Sequence, residues 1–132
     1  MNQPIDATHD DETLERGRTY LAMMNEIPPH VVERWAIMKA AGRTATIDAI
    51  EDLREVAISG NHLGLKWQQL VQFAQLLVLR AEDPARLHAK AAIHHGATFQ
   101  DLIGIAETAF ITGGVLAYSL GVRIAGDFGG GK

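Results

Sequence analysis

Six histidines and a complete lack of cysteine define the chemistry open to this 132-residue chain. The histidines are His9, His30, His62, His88, His94 and His95. Imidazole titrates near neutrality, so each can move a proton or ligate a metal. Ligands for one ion on a helix need i, i+3 or i, i+4 spacing. His88 and His95 lie about 10 Å apart along a helix, and the neighbours His94 and His95 point about 100° apart. No H-E-x-x-H or comparable motif occurs, so no metal site is expected. His94 and His95 read instead as cationic residues at the negative end of a helix. Without cysteine there is no disulfide, thiolate ligand or thiol nucleophile. Ser59 and Ser119 lack a G-x-S-x-G setting, and the glycine clusters match neither a P-loop nor a dinucleotide fingerprint. No cofactor is expected. What remains is Arg86-Leu87-His88, where a guanidinium able to clamp a carboxylate with two parallel hydrogen bonds precedes a proton-moving imidazole. A structural histidine packed beside Leu87 would look the same.

The elements that carry these residues are helical. At 47% hydrophobic and 21% charged, the chain has the composition of one globular domain spanning residues 1–132. A chain this long buries roughly 70% of its unfolded surface, enough for a core without staples. Its net charge of −4 and its 12 scattered Lys and Arg argue against a nucleic-acid partner. The acidic N-terminal stretch has no apolar signal-peptide segment. The longest apolar stretch, Leu76 to Leu79, is far short of the roughly 20 residues a membrane helix needs. A soluble, cytoplasmic protein with no membrane partner is expected.

Residues 1–9 read as a polar lead-in. Asp10 or Asp11 caps a first helix that carries Leu14, Tyr20 or Leu21, and Met24 as far as Asn25. Pro28 and Pro29 break it, and a second helix carries Val31, Val32, Trp35 and Met38 to a stop at Gly42. A third, capped by Thr44, aligns Ile47, Ile50, Leu53 and Ala57 on one face and ends at Ser59-Gly60-Asn61. These stripes are read as core. The fourth, Leu65 to Glu82, is apolar on most sides, so it is central or at a subunit interface. Asp83-Pro84 opens a fifth, which holds Arg86 and His88 and ends at Gly96. Thr98 to Asp101 resembles a capping box opening a sixth, and Gly113-Gly114 separates it from a seventh over residues 115–127. The glycine tail has nothing to pack against and should fray. The fold class is therefore all-α, a bundle of six or seven helices.

From Leu63 to about Phe128 this pattern resembles the carboxymuconolactone decarboxylase family. The matching residues are Leu63 to Lys66, His88-Ala-Lys-Ala-Ala92, Gly96-Ala97-Thr98, Asp101, and Ile111-Thr-Gly-Gly-Val115. Arg86-x-His88 is how the decarboxylase branch reads at this point. Glu15-Arg-Gly17 and His30-Val31 look like the N-terminal extension of full-length decarboxylases, so residues 10–60 form the extension and 63–128 the core. The alkylhydroperoxidase D-like relatives use a C-x-x-C pair and a glutamate. Those positions fall here on Ala81, Pro84 and Gln69, so thiol peroxidase chemistry has no nucleophile. Gly104 stands where the family usually carries a second acid, and Glu107 lies one turn later.

The resemblance implies an oligomeric alkylhydroperoxidase D-like bundle, a homotrimer or homohexamer, that works without a cofactor. It implies decarboxylation of a small carboxylated lactone or related ring-cleavage product, as in aromatic compound catabolism. His88 would donate the proton with His30 assisting, and Arg86 or Arg80 would hold a carboxylate, with Glu107 in the pocket. The alternative is a family member with changed chemistry, isomerase- or hydrolase-like, or a non-catalytic oligomeric binding protein. Gly104 keeps that alternative open, because fold does not fix function.

Overall fold

The computed structural model describes residues 9–129, and these residues form seven helices and no strand. The all-α class expected from the sequence holds. The chain divides into two compact units, with the boundary between Asn61 and His62. The polar lead-in before His9 and the tail beyond Gly129 lie outside the described residues.

The first unit contains α1 (Asp11–Arg16), α2 (Arg18–Met24), α3 (Pro29–Ala40) and α4 (Thr44–Ser59). Asp10 caps α1 by accepting from the Thr13 amide at 2.8 Å, which holds its carboxyl below the usual value. The single first helix read from the sequence is two, divided at Gly17. A side chain there would start 2.1 Å from the Ile27 Cδ1 atom, so Ile27 packs directly against the backbone where the two helices meet and would have to shift to admit one. Tyr20, Met23, Met24, Val31, Val32, Trp35 and Ile47 are buried, and Tyr20 meets Trp35 edge to face at 6.1 Å. Gly42, at φ +71, stops α3 in the left-handed region where glycine is favoured. Thr44 is the first residue of α4 rather than its cap, a position held by Arg43 without a side-chain bond. The α4 stripe is only partly core: Ile47 is buried, but Ile50, Leu53 and Ala57 are exposed, as is Val56.

The second unit contains α5 (Leu65–Val78), α6 (Glu82–His94) and α7 (Phe99–Gly126). The helix expected to reach Glu82 stops at Val78, because Arg80 turns left-handed at φ 56. Consequently α6 starts at Glu82 with Ala81 as its cap, and Pro84 is the third residue rather than the first. Its end is as read, with Gly96 at φ +100 just beyond it. Thr98 and Asp101 complete a capping box on α7, with bonds of 3.1 and 2.9 Å.

Gly113-Gly114 does separate two helical arms. Gly114 takes φ 83, ψ −175, a conformation essentially reserved to glycine, and the chain reverses there. In a straight helix Ala106 and Gly121 would be about 22 Å apart. Here a side chain at Gly121 would start 2.7 Å from the Ala106 Cβ and 2.8 Å from the Leu77 Cδ1. The two arms are a hairpin packed on α5. Leu70, Phe73, Leu77, Leu102, Leu120 and Ile124 fill the core with the alanines of α6.

The longest apolar segment is α7, not Leu76 to Leu79, and by length and composition it would suffice to cross a membrane. Gly104, Thr108, Thr112 and Ser119 interrupt its apolar runs without adding charge, so no single run stands out in the sequence. Folded at Gly114, its arms (99–113 and 115–126) are about 22 and 18 Å long, each short of the roughly 30 Å hydrocarbon layer.

Candidate functional site

On α5, Gln69, Phe73 and Leu77 recur every four residues and are fully buried. The facing side of α6 is built from Ala85, Ala89 and Ala92, also fully buried. Side chains this small let the two helices approach closely. His88, half-buried beside this alanine face, thereby reaches Gln69: its Nδ1 lies 2.6 Å from the Gln69 Oε1. The Gln69 Nε2 is buried with no hydrogen-bond partner. Its neighbour Gln68 is spent structurally, donating to the Leu63 carbonyl at 2.7 Å ahead of α5.

Arg86 lies on the same helix, but its guanidinium is already engaged. It donates to the Glu82 Oε2 at 3.2 Å and pairs with Asp127 at the end of α7. Glu82 also accepts from Arg123 at 3.3 Å. The Arg123 hydrogen bond, and then that of Arg86, hold the Glu82 carboxyl below its ordinary value. This chain of charges ties α6 to the second arm of α7. Arg80 differs: it donates to the carbonyls of Gly113 at 3.1 Å and Val78 at 3.4 Å, and among the described residues no carboxylate pairs with it.

Glu107 is exposed on the first arm of α7. Gly104, one turn before it, is also exposed and helical, and a side chain there would meet nothing within 4 Å. No packing reason requires glycine at that position. His30, the second residue of α3, is exposed and belongs to the first unit. His94 and His95 close α6 with their rings 4.9 Å apart, edge to face. Among the described residues no group of three or more His, Asp or Glu side chains is placed to hold a metal ion. A surface cleft of about 450 Å³ lies in the first unit, lined by carboxylates of α1 and α4 around Arg16 and Arg18, and includes none of the expected site residues.

Two contacts of the candidate site escaped the sequence reading. Gln69 registered only as the position of a missing glutamate, although a polar residue four before Phe73 on a buried stripe is a visible signal. The Glu82–Arg86 pair, at i, i+4, was equally visible. The Asp127 end of that network was not, because it depends on the α7 reversal.

The model of the carboxymuconolactone decarboxylase family matches residues 45–127, from the first turn of α4 to the end of α7. No curated protein matches the chain. No solved structure matches it.

Proposed function

The chain belongs to the carboxymuconolactone decarboxylase family, and on that premise we propose that it is a cytoplasmic, cofactor-independent decarboxylase of a small carboxylated lactone. The observation that carries this reading is His88, a half-buried imidazole whose Nδ1 is held at 2.6 Å by a fully buried side chain. A ring anchored on one nitrogen presents the other in a defined direction, as proton transfer requires. The carbon–carbon bond to the carboxylate breaks, and its electron pair passes to a conjugated lactone carbonyl as an enolate. The ring carbon then takes a proton from the imidazolium Nε2, which solvent restores. Stabilising that enolate charge is the main task of the site.

Arg80 is the better carboxylate anchor. Its guanidinium is spent on two neutral carbonyls, whereas Arg86 would have to release Glu82 or Asp127. The absence of cysteine leaves a thiol peroxidase without its nucleophile. A second reading, a family member that binds a ligand without decarboxylating it, draws support from Gly104 and from the paired state of Arg86. The test is to incubate EDTA-treated protein with 4-carboxymuconolactone and measure carbon dioxide. Release at an enzymatic rate supports the proposal, and none supports the binding protein.

Assembly as a homotrimer or homohexamer is part of the same proposal. Leu53 and Val56 on α4, and Ile111, Val115 and Leu116 on α7, are each 60–79% exposed. Large apolar side chains left this exposed on each unit favour burial against another copy of the chain.

A further inference from the structure

The reading of His88 as proton donor leaves a question of protons that the buried end of the site answers. Gln69 is completely buried, and its two amide atoms have different fates: the oxygen meets the His88 Nδ1 at 2.6 Å, and the nitrogen meets nothing. An amide oxygen offers only lone pairs. A hydrogen bond to it therefore requires a hydrogen on Nδ1, in the neutral ring as well as in the imidazolium. Proton exchange is then confined to Nε2. A carboxamide is also uncharged at every relevant pH. It neither takes the proton from Nδ1 nor favours the imidazolium with a full opposite charge. The unpartnered nitrogen fits the same account, since packing aims Gln69 at His88 without satisfying its other end.

We propose that Gln69 is a positioning residue for His88: it holds the ring in the Nδ1–H tautomer and restricts its acid–base work to Nε2. This rests on the proposal that His88 moves the proton, but its test needs no substrate.

The test is long-range ¹H–¹⁵N correlation spectroscopy on the full chain with labelled histidine, with the His88 signals identified by their loss in His88→Gln. The neutral His88 ring should show a protonated Nδ1 and an unprotonated Nε2. In Gln69→Leu this bias should disappear and both tautomers be populated. In Gln69→Glu a carboxylate faces the ring, so the imidazolium should persist to higher pH, with its midpoint raised by about 1 unit or more. A neutral ring protonated at Nε2 in the unsubstituted protein overturns the proposal, as does an unchanged midpoint in a folded Gln69→Glu variant. Either result leaves the decarboxylase reading standing, whereas an absence of carbon dioxide release removes that reading and leaves the tautomer result intact.

Discussion

Replacing His88 by glutamine separates a catalytic imidazole from a structural one, because the structure assigns different magnitudes to the two. The ring is half-buried and is held at Nδ1 by the 2.6 Å contact with Gln69. A glutamine at position 88 is of similar size and can offer its own amide hydrogens to the Gln69 oxygen. The Gln69 contact itself is about one neutral hydrogen bond, ~1 kcal/mol. For a domain of this size that corresponds to a fall in Tm of about 4 °C at most. The catalytic loss is larger. A positioned general acid contributes ~10²–10⁴-fold, or about 2.7–5.5 kcal/mol of transition-state stabilisation. Steady-state assay of carbon dioxide release should therefore show kcat lower by about 10²-fold or more, with KM little changed, since the interaction is made mainly in the transition state. Thermal unfolding of the same preparation should move only slightly. Near-normal turnover combined with a Tm lower by many degrees would refute the reasoning and make His88 a packing residue.

The carboxylate anchor, the hairpin, the charge network and the assembly each give a further expectation. Arg80→Ala should raise KM about tenfold with kcat held, while Arg86→Ala should lower Tm slightly and leave KM within about threefold, since its guanidinium is engaged by Glu82 and Asp127 in a solvent-screened pair; the reverse pattern in the kinetics would return the anchor to Arg86. Gly114→Ala places a side chain at φ 83, ψ −175 and should destabilise by about 1–3 kcal/mol in urea titration, with an unchanged midpoint counting against the reversal. The Glu82 carboxyl is depressed below its ordinary 4.5, so its contribution is present above that value and disappears as pH falls through the lower folded-state value. Glu82→Gln should accordingly lower Tm at pH 7 and make no difference near pH 2, and a constant gap between the two proteins would contradict the network. Sedimentation should give a trimer or hexamer at micromolar concentration, and a clean monomer would overturn the assembly.

Local chemistry made much of this protein legible in its sequence. The helix breaks at Pro28-Pro29 and Gly42, the cap at Asp10 and the capping box of Thr98 with Asp101 depend on residues within a few positions of each other. Such interactions are decided by backbone geometry and a single nearby side chain, so they follow from residue order. The resemblance to the decarboxylase family rested on motifs of the same local kind, from Leu63 to Lys66 through His88 to Gly113-Gly114. Elements whose outcome depends on distant partners were not legible. Gly17, where the first helix divides, has Ile27 from ten residues on packed against it, and Ile50 and Leu53 are exposed although their spacing is that of a buried stripe. The four residues lost from the end of α5 follow a left-handed Arg80, whose guanidinium reaches Gly113, 33 positions away. Above all, the sequence marked His88 and, separately, the missing glutamate at Gln69, but it had no means of joining them. Nineteen residues separate the two. Only close packing of α5 against the alanine face of α6 brings an amide oxygen to the imidazole and so gives the site its geometry.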